Sequence, residues 1–158
     1  MNKQMLFTDG SVHVQSKIGY GAYLFIDVLE ISLEVLKSRV QLKRFEQTSS
    51  TKLELQTLIW ALADLPFNEQ KLYIYTDSQN ILSLIDRRER LEKMDYFTKK
   101  NTRLKNFELY QEFFTFYDKL DLEIIKVAGH KVSHQKNQID RIFSLVDRAS
   151  RNALRNKL

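Results

Sequence analysis

The chain has 158 residues, 43% hydrophobic and 28% charged, with one proline, four glycines and no cysteine. That length and apolar share suit one ordinary domain, residues 1–158, with a real core, and the missing cysteine excludes disulfides, thiolate metal sites and cysteine nucleophiles. A net charge of +5 suits a polyanionic partner such as nucleic acid without requiring one.

Taken in chain order, the first seven residues hold no apolar leader, and no apolar run of about 18 residues follows, so a cytoplasmic protein without a membrane span is expected. Leu6-Phe7-Thr8 reads as the end of a strand that stops at the turn pair Asp9-Gly10. Gly21 to Val28 predicts a second strand, and a third falls within Ile31 to Phe45. Three strands with short gaps predict an antiparallel meander. Thr48-Ser49-Ser50-Thr51 offers helix caps, and Leu55, Leu58, Ile59 and Leu62 recur at helical spacing before Pro66. Lys71 to Thr76 predicts a buried strand ending on Asp77, with a helix from about Gln79 to Ile85 after it. Residues 86–106 are polar and basic. Phe107 to Leu120 predicts an aromatic-rich, core-facing helix, Leu122 to Val127 the last strand, residues 129–137 a loop, and Gln138 to Leu158 a terminal helix. The order βββ-α-β-α-α-β-α implies an α/β fold: a mixed five-stranded sheet flanked by helices.

Four acidic residues stand at telling places in this scheme. Asp9 and Asp77 each close a strand; in neighbouring strands their carboxylates emerge side by side, where open α/β sheets collect ligands. Glu54 lies in the first turn of a helix and Asp147 on the last helix. Carboxylates so clustered need cations, and oxygen-only ligation favours hard divalent ions, above all Mg²⁺, with Mn²⁺ as the alternative. Two ions about 4 Å apart can clamp the attacking and leaving oxygens of a phosphodiester. Each residue also has a plainer reading: a turn aspartate at Asp9, a helix cap at Asp77, a capping box over Thr51–Glu54, and a solvated helix carboxylate at Asp147.

The segments Leu6-Phe7-Thr8-Asp9-Gly10-Ser11, Thr51-Lys52-Leu53-Glu54-Leu55, Tyr75-Thr76-Asp77-Ser78-Gln79, Val127-Ala128-Gly129-His130 and Val146-Asp147-Arg148-Ala149-Ser150-Arg151-Asn152-Ala153 together resemble the type 1 ribonuclease H family, in order and over nearly the whole chain. The resemblance implies a ribonuclease H-like fold. It also implies a monomeric endonuclease that cuts the RNA strand of RNA–DNA hybrids with two divalent ions, leaving 5′-phosphate and 3′-hydroxyl ends. It carries the metal-binding carboxylates to Asp9, Glu54, Asp77 and Asp147 and the loop histidine to His130. Substrate contacts are expected at Gly10, Ser11, Ser50, Thr51 and Gln79, the last resembling a minor-groove contact. Ser50-Thr51 stands where the family often has an asparagine pair, with shorter reach. Asp140 competes with Asp147, because its spacing from His130 fits the family better while the flanking residues favour Asp147; the two lie two helical turns apart.

His130 suits a mobile proton carrier near neutral pH, and His134 stands close enough to replace it. His13 reads as structural or surface. From Arg87 to Lys105 eight basic residues face three acidic ones; this stretch is either a grip on the DNA strand or a solvated face. Two rivals remain: an integrase-like or other nuclease on the same scaffold, and a non-catalytic hybrid-binding module.

Overall fold

The computed structural model describes residues 3–27, 32–66, 68–128 and 136–157. Side chains of a strand alternate between two faces. In β1 (Gln4–His13) Met5 and Phe7 enter one hydrophobic cluster and Leu6 the other, so the strand is buried on both sides. It pairs antiparallel with β2 (Ile18–Ile26), which pairs antiparallel with β3 (Gln41–Phe45). On its other side β1 runs parallel to β4 (Leu72–Thr76), and β4 parallel to β5 (Leu122–Lys126). The sheet order is β3-β2-β1-β4-β5, the mixed five-stranded α/β sheet expected.

Helices cover both faces. Beneath one lie α2 (Ser50–Asp64), α3 (Gln79–Lys93) and α4 (Phe107–Lys119), which bury Leu58, Leu84, Phe113 and Phe114 against Leu6 and Ile74. Over the other lie α5 (Gln138–Lys157) and the short α1 (Leu33–Ser38), whose Val146, Ile142 and Leu36 meet Phe7, Leu24 and Tyr75. Among the described residues no helix is long and apolar enough to cross a membrane.

Four local expectations are corrected. The first strand does not stop at Asp9-Gly10: Asp9 pairs with Ala22 and Gly10 with Gly21 inside the ladder, which runs on to His13, and the turn falls at residues 14–17, with Lys17 at φ 59°. The meander is interrupted, because Ser32 caps α1 by accepting from the Val35 N–H at 3.3 Å between the second and third strands. Glu54 is not in the first turn of its helix: Ser49 is the cap, accepting from the Lys52 N–H at 3.3 Å, so the box over Thr51–Glu54 does not form. Finally α3 continues to Lys93 rather than ending near Ile85, because Leu84 and Leu91 keep one face buried through the charged run while Arg88 and Glu92 pair one turn apart.

Candidate active site

Phe7 lies level with Tyr75 in the parallel pair of β1 and β4, and the same offset sets Asp9 opposite Asp77. β4 ends at Thr76 while β1 runs on, so the two aspartates meet where the sheet narrows. Asp77 does not cap α3. That role belongs to Ser78, only 2% exposed, which accepts from the Ile81 N–H at 3.2 Å and donates from its own N–H to Thr76 Oγ1 at 3.1 Å. Asp77 is left exposed at the strand end.

Glu54 arrives from below on α2. A Cβ on Gly21 would lie 2.2 Å from Thr57 Oγ1, and one on Gly10 would lie 2.8 Å from Leu53 Cδ2. Only glycine lets the helix sit this close to the hairpin. Ser78 Oγ then donates to Glu54 Oε2 at 2.5 Å, tying α2 to the start of α3.

Asp147 arrives from above on α5. Ser150, fully buried, lets that helix close on the sheet. The face of β1 that carries Met5 and Phe7 packs against α5 and carries Asp9 two residues on, and the Asp9 and Asp147 carboxyls share a hydrogen bond. Arg151 grips Asp147 with a two-pronged ion pair: Nε donates to Oδ1 at 2.9 Å and Nη2 to Oδ2. Asp140 is engaged elsewhere. It and Asn137 cap the start of α5 reciprocally, at 2.8 and 3.1 Å.

The electrostatics follow from this convergence. Burial, then the charge of Asp77 and the charge and hydrogen bond of Asp147, push the Asp9 carboxyl up to about 8 against the pull of the Gly10 N–H. Burial and Asp77 raise Glu54, opposed by the Ser78 hydroxyl. Asp77 thus links Glu54 to Asp9 and Asp147, with Arg151 paired to Asp147, and the hard oxygen donors of the four suit a divalent cation in kind and charge. As they stand, no three acidic or histidine side chains among the described residues converge tightly enough to ligate one ion.

The remaining expected positions divide. Ser50 and Thr51 are exposed at the start of α2; Gly10 and Ser11 are half-buried on β1 beside Asp9. Gln79 is exposed at the start of α3, its Oε1 accepting from Lys126 Nζ at 2.9 Å. His130 and His134 lie outside the described residues. His13 bonds Ser16 across the exposed hairpin turn at 2.8 Å, away from the carboxyls. The sequence patterns alone assign no role to Ser78, Arg151 or Lys126. Ser78 carried a signal, a serine at the start of a helical pattern; Arg151 sits one turn after Asp147; Lys126 meets Gln79 only through the parallel pairing of β4 and β5.

In the basic stretch, Arg88 is committed to Asp118 at 2.5 and 2.6 Å and to Glu92, and Arg103 pairs with Asp95 at 2.9 Å while lying over Phe97 and Phe107. Lys99 and Lys100 stand exposed on a small loop closed by the Phe97–Arg103 bridge.

Comparisons with known proteins agree with this architecture. The RNase H family model matches residues 1–151. A ribonuclease H of Caldicellulosiruptor saccharolyticus is 28% identical over 145 residues, covering 90% of this chain and 94% of that protein. One from Clostridium botulinum is 25% identical over 145 residues, covering 90% and 93%. A foamy viral protease-reverse transcriptase, solved in complex with dsDNA, shares the fold with a TM-score of 0.67 at 15% identity, covering 96% of both chains. With its sheet order, its family match across residues 1–151 and relatives covering nine-tenths of its length, the chain belongs to the ribonuclease H family, whose members are hydrolases acting on nucleic acid.

Proposed function

We propose that this protein is an endonuclease that hydrolyses the RNA strand of RNA–DNA hybrids, using Mg²⁺ or Mn²⁺ held by Asp9, Glu54, Asp77 and Asp147. The observation that carries the reading is the mutual perturbation of these carboxyls. An acid raised to about 8, first by burial and then by the charges of Asp77 and Asp147, is a costly arrangement unless cations relieve it. When bound, two such ions supply an activated water and a stabilised leaving oxygen.

The chain's own residues prepare the site. Asp9, Glu54, Asp77 and Asp147 would hold the ions, and Arg151 keeps Asp147 in place on α5. Ser78 orients Glu54 from below. Gly10 and Ser11 on β1 beside Asp9, and the exposed Ser50 and Thr51 at the start of α2, would contact a strand crossing Asp9. Hydroxyls there can engage a ribose 2′-hydroxyl or a phosphate, and the 2′-hydroxyl distinguishes RNA from DNA. Gln79 faces the same strand from α3. His130 is the proton carrier for the leaving group, with His134 as its understudy. Residues 1–158 act as one domain, since both cores share one sheet.

The test is a panel of end-labelled substrates with Mg²⁺ and with chelator. Cleavage of the RNA strand of a hybrid, with 5′-phosphate ends and only when Mg²⁺ is present, is the expected result. Equal cleavage of duplex DNA would assign the site to an integrase-like nuclease, and binding without cleavage would assign it to a hybrid-binding module.

A further inference from the structure

Lys126 is the last residue of β5 and Gln79 the first of α3. They are 47 positions apart, yet Lys126 Nζ donates to Gln79 Oε1 at 2.9 Å, on the exposed rim two residues from Asp77. The backbone beneath is fixed: Thr76 lies level with Lys126, and the Val127 N–H donates to Thr76 O at 2.8 Å. The lysine therefore starts from a rigid base.

A primary amide has one accepting end and one donating end, and an ammonium can only donate. Lys126 selects the oxygen, which turns the Gln79 NH₂ outward. In the minor groove every base pair offers acceptors, purine N3 or pyrimidine O2, whereas the only donor there is the guanine amino group. An enzyme that recognises 2′-hydroxyls works from the minor groove, where those hydroxyls and the base edges are displayed. An amide fixed with its NH₂ outward meets an acceptor at any base pair.

We propose that Lys126 is a positioning residue. By holding the Gln79 oxygen it presents a donor to minor-groove acceptors and makes hybrid recognition tolerant of sequence. The inference rests on the hybrid-cleaving reading and adds to it a residue that touches no reacting atom.

The test uses the full chain and a mixed-sequence RNA–DNA hybrid, with binding measured in Ca²⁺ and turnover in Mg²⁺. Lys126→Met should raise Kd and KM roughly fivefold, the worth of one hydrogen bond of about 1 kcal/mol, with the loss falling on KM rather than kcat. Lys126→Arg, which can still donate to the amide, should restore binding. In a Gln79→Ala background Lys126→Met should add nothing, since partners in one network are not additive. An undiminished penalty in that background, with the log–log salt slope of binding lower by roughly 0.7–0.9, would make Lys126 a plain phosphate ligand and overturn the inference while leaving the hybrid reading intact. No effect of Lys126→Met on binding would overturn it in the same way. A wild-type chain that does not bind hybrid would overturn both.

Discussion

Asp9 draws the strongest residue-scale consequences. Its native carboxyl titrates near 8, well above the ordinary 3.8 it recovers on unfolding. Between those values the native state holds the extra proton, so without divalent ions stability should fall as pH rises from about 4 to about 8. Asp9→Asn removes that loss. At pH 9 in chelator it should melt above wild type by roughly 5–10 °C, the equivalent of a few kcal/mol, while hybrid cleavage in Mg²⁺ disappears. Scanning calorimetry at pH 4 and pH 9 checks the first part; a variant less stable than wild type at pH 9 would contradict the assigned burial and repulsion. Asp147 and Asp140 separate in the same manner. Asp147→Asn should abolish cleavage, whereas Asp140→Asn, which keeps an acceptor for the Asn137 N–H, should retain most of it. Asp140→Ala should cost about 1 kcal/mol in stability, as the loss of a helix cap does. The reverse order of activities would transfer the fourth carboxylate role to Asp140.

At the scale of elements, the site depends on two close approaches. Gly21→Ala would place a methyl carbon 2.2 Å from Thr57 Oγ1 and 3.1 Å from Thr57 Cβ. Turning the threonine does not clear the contact, because its Cγ2 and Cβ also lie 3.0 and 3.1 Å away, so α2 must back away and take Glu54 with it. A loss of about 1–3 kcal/mol in stability, typical of overpacking, should accompany a much larger drop in turnover. A Thr57→Ala partner change should recover much of both. The loop carrying Lys99 and Lys100 makes a different prediction. Arg88 and Arg103 are occupied by Asp118, Glu92 and Asp95, whereas Lys99 and Lys100 stand exposed side by side on the loop and are the pair to neutralise. Lys99→Gln with Lys100→Gln should weaken hybrid binding and lower the salt slope by roughly 0.7–0.9 for each phosphate that is no longer neutralised. An unchanged slope in a fluorescence titration would make this stretch a solvated face.

Across the whole molecule, the sequence carried what periodicity and punctuation can carry. The apolar spacing of Leu55, Leu58, Ile59 and Leu62, the aromatic face of Phe113 and Phe114, and the strand before Asp77 all lie where their patterns put them. The errors have a common cause: a local signal overruled by a distant partner. Asp9-Gly10 reads as a turn in isolation, yet its glycine serves helix packing inside a ladder. The segment before β3 shows no turn residues that would part it from a strand, but Ser32 and the burial of Leu36 make it helical. Glu54 could be placed on its helix but not by its cap, since four consecutive hydroxyl residues, Thr48 to Thr51, compete for that position. The choice of Asp147 over Asp140 was open from spacing, because it depends on which turn of α5 lies level with Asp9.

We propose that these four carboxyls form a divalent-cation site at the heart of a hybrid-cutting enzyme. Calorimetric titration of the whole protein with Mg²⁺ at pH 7, repeated in buffers of different ionisation enthalpy, tests it most directly by counting protons. An acid held near 8 is still largely protonated at pH 7 and must ionise to accept a cation, so wild type should release about one proton per protein on binding, and Asp9→Asn none. Mg²⁺ binding without proton release, or unchanged in Asp9→Asn and Asp77→Asn, would show that cations bind elsewhere and would contradict the assignment.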